Sequence, residues 1–219
     1  MVEIWLDSAD RRQMASFSDQ VKGFTTNPTL MKKEGVTDYE KWGREIAQFA
    51  PNHLISMEVI GDNAEEMYRQ ARIISSWGPN VLVKIPITNT RGEMMTSLID
   101  RLRDIRLNVT AVFTLEQVKA LGGLRPEVIS VFAGRIHDAG QDASSIVRQI
   151  KNYTRSKVLW ASPRQVYDII MADHAGADII TVTPELLVKR KLFGKSLTEF
   201  SLETVKMFHN DAQQAGLTL

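Results

Sequence analysis

Short β-branched apolar runs, each followed by a helix-start signal, recur along this chain, and that repetition narrows the possible folds more than any other feature. The runs at Val2–Leu6, Gly23–Thr26, Leu54–Ile60, Val81–Pro86, Asn108–Phe113, Val128–Phe132, Lys157–Ala161 and Asp178–Val182 read as strands. Cap residues stand ahead of the amphipathic stretches between them. Ser8 or Asp10 precedes a helix to about Gln20, Thr37-Asp38 one to about Ala50, Asp62-Asn63 one to about Trp77, and Thr114 one over Leu115–Leu121. Pro28 opens a short helix that Gly35 closes, and Arg91–Arg103 and Ala143–Tyr153 read as helices. Gly134-Arg135 leads into a polar loop, while Ser162-Pro163 opens a helix over Arg164–Ala175 with Gly176 just past its end. Thr183-Pro184 starts a last short helix, and Phe193-Gly194 precedes a long one, Leu197–Ala215. This order predicts an α/β chain: a (β/α)8 TIM barrel with an additional long C-terminal helix, residues 1–219 forming one catalytic domain.

Alternation along each strand then separates two faces. Trp5 and Asp7 oppose Ile4 and Leu6; Ser56 and Glu58 oppose Ile55, Met57 and Val59; Asn108 and Thr110 oppose Val109 and Ala111. Ser130 and Phe132 oppose Ile129 and Val131, and Trp160 and Ser162 oppose Leu159 and Ala161. The apolar set suits packing against an outer helix layer, so the polar set is assigned to the barrel axis. Most of its polar members lie toward the C-terminal strand ends, where sites in this fold are built. Singly, Asp7, Asn27 and Ser162 read equally well as helix caps. Polar groups from so many strands on one axis are harder to read as local caps, because a polar interior is costly without a network or ligand.

The strand Val81–Pro86 carries Lys84 in its middle, sharing a face with Leu82 and Pro86. A buried ammonium must be paired or lose its proton, and a neutral amine attacks carbonyls. Taken alone, the strand fits an ion-paired structural lysine as well as it fits a nucleophile. Arg135 and the run Ser162-Pro163-Arg164 add a phosphate reading: a helix N-terminus at Ser162 with two guanidiniums near the phosphate position common in such barrels. Solvated surface arginines are the alternative.

Other classes are disfavoured. A formal net charge of +1 gives no reason to expect nucleic acid or an anionic membrane as partner. The absence of cysteine excludes disulfides, thiolate catalysis and zinc–thiolate sites. His53, His137, His174 and His209 lack metal-ligand spacing, so no metal is expected. The opening Met-Val-Glu-Ile-Trp-Leu-Asp lacks the regions of a signal peptide, and a cytoplasmic location is expected.

Assembled, these residues resemble the transaldolase family in its small single-domain branch. The resemblance is carried by Leu6-Asp7-Ser8-Ala9, Thr25-Thr26-Asn27-Pro28-Thr29, Met57-Glu58-Val59, Val83-Lys84-Ile85-Pro86 and Asn108-Val109-Thr110. It continues through Ser130-Val131-Phe132-Ala133-Gly134-Arg135 and Ala161-Ser162-Pro163-Arg164, and so covers essentially the whole chain. Val131 and Pro163 depart from the pattern, standing where many relatives have proline and phenylalanine.

The resemblance implies the following roles. Lys84 forms a Schiff base, Asp7 is the acid–base carboxylate, and Glu58 and Thr110 hold a catalytic water. Asn27 and Asn108 bind substrate hydroxyls, Ser130 and Phe132 line the sugar, and Arg135, Ser162 and Arg164 hold its phosphate. No cofactor is implied. Partners are sugar phosphates, with sedoheptulose 7-phosphate and fructose 6-phosphate as donors and glyceraldehyde 3-phosphate and erythrose 4-phosphate as acceptors, in the pentose phosphate pathway. A direct-aldolase branch, which releases free dihydroxyacetone from fructose 6-phosphate, tends to carry glutamine and tyrosine where Glu58 and Phe132 stand. A transferase is therefore expected ahead of an aldolase, and both ahead of a non-catalytic sugar-phosphate-binding barrel. The C-terminal helix, with Leu197, Phe200, Leu202, Val205 and Phe208, carries more apolar surface than a terminal helix needs, so it packs either on its own barrel or on a neighbour's, and a homo-oligomer is expected. In the small branch this is often a pentamer-based decamer built by exchanging that helix.

Overall fold

The structure, a computed structural model, describes residues 1–218. Its strands are β1 Glu3–Asp7, β2 Gly23–Thr25, β3 Leu54–Glu58, β4 Val81–Pro86, β5 Leu107–Val112, β6 Val128–Val131, β7 Lys157–Trp160 and β8 Ile179–Val182. They pair in parallel in chain order, and β8 closes on β1. The helices between them are α1 Arg11–Phe17, α2 Pro28–Lys33, α3 Tyr39–Phe49, α4 Ala64–Ser75, α5 Thr96–Arg101 and α6 Leu115–Lys119. They continue with α7 Ala133–Asp138, α8 Ala143–Tyr153, α9 Asp168–His174, α10 Pro184–Lys189 and α11 Leu197–Gln214. The expected (β/α)8 barrel with a C-terminal helix is therefore the observed one.

Local chemistry accounts for most helix starts. The side chains of Asp10, Asn27, Asp38 and Asn63 accept first-turn N–H groups, and Thr114 with Gln117 forms a reciprocal capping box. The outward strand faces, among them Leu6, Met57, Ile85, Val109, Val131 and Val182, are buried in one large core with the helices. A second cluster of Trp5, Leu82, Val128, Leu159, Ala161 and Ile179 fills the lower axis. Gly23 makes room for it, since a Cβ there would lie 2.7 Å from the Trp5 indole. The barrel thus has an apolar floor beneath a polar mouth.

Three expectations are corrected. The segment before α5 is a turn rather than helix. Asn89 Oδ1 accepts the N–H groups of Arg91 and Glu93, Gly92 takes φ +79°, and Thr88 bridges Met94. The stretch after Phe132 is the helix α7, not a polar loop. The helix expected from Arg164 begins only at Asp168, because the Asp168 carboxylate accepts the N–H groups of Arg164 and Gln165 and holds them in a turn. Ser162 is therefore not at a helix N-terminus.

The assignment of faces on β7 is also reversed. Leu159 and Ala161 point to the axis, while Trp160 is in the outer core, edge-on to His137 at 5.6 Å. With Leu159 on the axis beside Trp5, alternation along β7 sends the Trp160 indole into the outer core, where it is fully buried.

The chain divides into two compact units, Met1–Leu187 and Val188–Leu219. The first contains the barrel. The second holds the end of α10, a 3-10 turn at Arg190–Leu192, and α11, in which no residue is buried. Among the described residues no helix is long and apolar enough to cross a membrane.

Candidate active site

Register places the central residues. Lys84 and Glu58 are direct partners across β3 and β4, both on the inward face. Lys84 Nζ lies 3.3 Å from Glu58 Oε2 and donates to the Thr26 carbonyl at 3.0 Å. Only 7% of the Lys84 side chain is exposed, so its head meets a ligand only from the cavity side. Behind Glu58, Tyr39 donates its hydroxyl proton to the Glu58 carbonyl at 2.9 Å, pinning the strand end.

Asp7 ends β1 and enters the same space. Thr25, its partner on β2, donates a hydroxyl hydrogen bond to Asp7 Oδ1 at 2.7 Å. Burial raises the Asp7 pKa above its usual range, and nearby Glu58 adds to this. The Lys84 ammonium and the Thr25 bond oppose the shift without cancelling it. Asp7 is therefore a carboxyl with unusually high proton affinity beside an amine, which suits it to take and return protons.

The opposite wall carries neutral groups. Asn108 is fully buried, donating to Ser56 Oγ at 2.7 Å and accepting from the Ser130 hydroxyl at 2.8 Å. A bulge interrupts β5 between Val109 and Val112, with Ala111 at φ 56°. It turns both Thr110 and Ala111 into the cavity, and Thr110 Oγ1 is buried with no protein partner. Among the described residues Ser162 is the other non-glycine residue with positive φ, at 61°, and its carbonyl packs directly on Gly134. A Cβ at Gly134 would lie 1.5 Å from that oxygen, so the close approach of α7 to this turn requires glycine.

One cavity of about 410 Å³ gathers Asp7, Asn27, Glu58, Lys84, Thr110, Ser130, Phe132, Arg135 and Ser162. The Arg135 guanidinium stands 5.6 Å from the Phe132 ring centroid. A family model described as transaldolase/fructose-6-phosphate aldolase matches residues 4–219. The chain belongs to that family. A probable transaldolase 2 of Listeria monocytogenes is 34% identical over 209 residues, covering 92% of this chain and 93% of the relative. A probable transaldolase of Dehalococcoides mccartyi is 37% identical over 175 residues, covering 77% and 80%. A crystal structure of 3-hexulose-6-phosphate synthase superposes with a TM-score of 0.62 at 13% identity, covering 83% of this chain and 90% of that one. That last likeness concerns the fold alone.

Within this transaldolase/aldolase-type enzyme, two of the expected site residues do not line the cavity. Asn108 spends its amide on Ser56 and Ser130, so it holds Ser130 in place. Arg164 reaches away along α7, where its guanidinium pairs with Asp138. Asn27 lines the cavity while its side-chain oxygen caps α2 at 3.0 Å from Leu30 N. Thr25 and Thr181 line the cavity too, beyond the residues expected from the sequence. Strand alternation was the signal that would have found them, since both share the inward parity of their strands. Among the described residues, no three His, Asp or Glu side chains gather as a metal-binding group.

Proposed function

We propose that the protein is a transaldolase that moves a dihydroxyacetone unit from a ketose phosphate to an aldose phosphate through a Schiff base on Lys84. The observation that carries this reading is the placement of Lys84. It is buried on the axis, 3.3 Å from Glu58 and facing Asp7, in a cavity sized for a sugar phosphate. A purely structural lysine would need an acid partner, but not an open cavity with a second carboxyl and an unpartnered Thr110 hydroxyl.

The chemistry follows from these positions. Lys84 passes a proton to Glu58 and its free amine attacks C2 of the ketose, forming a carbinolamine. The C2 oxygen leaves as water, protonated from Glu58, and Thr110 supplies a hydroxyl to hold that water. Asp7 takes the C4 hydroxyl proton, the C3–C4 bond breaks, and its electron pair flows into the iminium to give an enamine. The aldose phosphate departs with its new carbonyl at the former C4. An acceptor aldose phosphate then adds by the reverse steps, and water frees the new ketose from Lys84, giving ping-pong kinetics. The imine is the electron sink, so the route calls for no metal or organic cofactor.

Arg135 and Ser162 suit the substrate phosphate, one as a guanidinium fork and one as a hydroxyl on a fixed turn. Phe132, beside them, offers the enamine an apolar neighbour with no proton to donate, which favours waiting for an acceptor over hydrolysis. Glyceraldehyde 3-phosphate and erythrose 4-phosphate are the expected acceptors, in a cytoplasmic pentose phosphate pathway. All the chemistry of this single catalytic domain is assigned to the barrel. The exposed Leu197, Val205 and Phe208 of α11 support a homo-oligomer, with a pentamer-based decamer as the expected form.

The test is product analysis with fructose 6-phosphate, with and without erythrose 4-phosphate. Sedoheptulose 7-phosphate and glyceraldehyde 3-phosphate should form only when the acceptor is present. Steady release of dihydroxyacetone without acceptor would instead make the enzyme an aldolase.

A further inference from the structure

The inner face of β1 is flanked on both sides by buried hydroxyls that the mechanism above does not use. Thr25 on β2 is 2% exposed, and Thr181 on β8 is 4% exposed. Thr181 pairs with Trp5 and Thr25 pairs with Asp7, so the two side chains converge beneath the Asp7 carboxyl. Their hydroxyl oxygens are in hydrogen-bond contact, and Thr25 Oγ1 is also 2.7 Å from Asp7 Oδ1.

Proton counting fixes the direction of this chain. A hydroxyl has a single proton to give. With Asp7 ionised, Thr25 donates to the carboxylate and has none left for Thr181. Thr181 must therefore donate to Thr25. We infer that Thr181 and Thr25 form a one-way hydrogen-bond relay that anchors Asp7 Oδ1, making both threonines positioning residues for acid–base catalysis. The inference rests on the role given to Asp7 above.

Two consequences follow. Oδ1 is held by Thr25, which leaves Oδ2 as the oxygen free to receive the C4 hydroxyl proton. Thr181 acts on Asp7 only through Thr25, by orienting that hydroxyl and polarising it into a better donor. The charged groups facing Asp7 are Lys84 from β4 and Glu58 from β3. From β2 it meets the Thr25 hydroxyl, and from β8 the Thr181 hydroxyl meets Thr25 in turn. Burial favours the protonated carboxyl, so the relay's effect is to keep Asp7 available as a base at lower pH than its surroundings alone would allow.

The experiment is the pH profile of kcat/KM for donor cleavage in Thr25→Val, Thr181→Val and the double variant. Serine replacements at each position serve as the conservative controls. Valine keeps the shape and removes the hydroxyl, and the substrate's own phosphate titration is common to all profiles. Thr25→Val should move the acid limb up by about one pH unit, roughly tenfold in proton affinity. Thr181→Val should move it the same way by less. The double variant should match Thr25→Val alone, since the second hydroxyl has no separate path to Asp7. Thr25→Ser and Thr181→Ser should keep the wild-type limb.

Each protein is also treated with dihydroxyacetone and borohydride, which requires no carbon–carbon cleavage. An adduct on Lys84 in every variant, together with an unmoved limb in Thr25→Val, would overturn the relay and leave the Schiff-base reading standing. Valine shifts that add in the double variant would overturn it equally. Loss of the adduct in the wild type would remove the functional reading and the relay together.

Discussion

The two sides of the cavity are built differently. On the β1–β4 side Asp7, Thr25, Glu58 and Lys84 are strand residues that register alone brings together, and only Asn27, the cap of α2, lies beyond a strand end. On the side formed after β5, β6 and β7, the groups depend on irregular backbone. Ala111 and Ser162 have positive φ, and α7 approaches the Ser162 turn at Gly134. The first side gathers the charges assigned to bond making and breaking. The second presents Thr110, Phe132, Arg135 and Ser162, the groups assigned to water, the sugar and its phosphate. Rigid strands suit chemistry that tolerates little displacement, whereas loops allow the shape of the bound molecule to be set separately.

The sharpest way to break this contrast is on the strand side. Asp7→Asn should lower cleavage of fructose 6-phosphate by about two to four orders of magnitude, the usual range for losing a general base. Lys84 should still be trapped by dihydroxyacetone, since imine formation is assigned to Glu58. Loss of both would mean that the carboxyls share one task.

A smaller effect is expected on the loop side. Arg135→Ala should raise KM for phosphorylated acceptors by roughly ten- to a hundredfold, with little change for glyceraldehyde, as one charge-assisted contact is lost. Arg164→Ala should change it less than about fivefold. Its side chain is half exposed and already paired with Asp138, and such surface pairs contribute about 1 kcal/mol or less. Comparable losses in the two variants would mean that Arg164 leaves Asp138 for the substrate.

The smallest effect is on stability. The folded-state pKa of Asp7 is raised, so the native protein holds its proton more tightly than the unfolded chain does. Stability is then lost as pH rises from the ordinary carboxyl range through the raised value, and the loss persists above it. Asp7→Asn removes that penalty. Urea unfolding should find the variant more stable than wild type near pH 7, with the gap closing below about pH 4. A variant that is less stable at neutral pH would show that the pairing with Lys84 outweighs the burial of Asp7.

The same contrast explains what the sequence revealed. The boundaries of β4 and α8 match expectation, because alternation or amphipathicity is uninterrupted in both. Asp7, Glu58, Lys84 and Ser130 were legible as inward residues because their strands keep strict alternation. On β7 the rule failed. Parity groups Trp160 with Ser162, but Trp160 packs outward, and Ser162 reaches the cavity because its positive φ turns the chain. Helix α7 and the late start of α9 leave no local sequence signal for a related reason. Each depends on a tertiary contact, Gly134 against Ser162 and Asp168 on the Arg164 and Gln165 N–H groups. Arg164 carried the right chemistry for phosphate, but Asp138, one turn along α7 from Gly134, was not visible as its partner.

Every step of the proposed chemistry depends on Lys84 forming the covalent bond to substrate. Reduction with borohydride in the presence of fructose 6-phosphate, followed by peptide mass mapping, tests it most directly. A three-carbon adduct should appear on the peptide containing Lys84 and none in Lys84→Arg, whose guanidinium stays protonated and forms no imine. An adduct on any other lysine, or trapping that survives in Lys84→Arg, would contradict it.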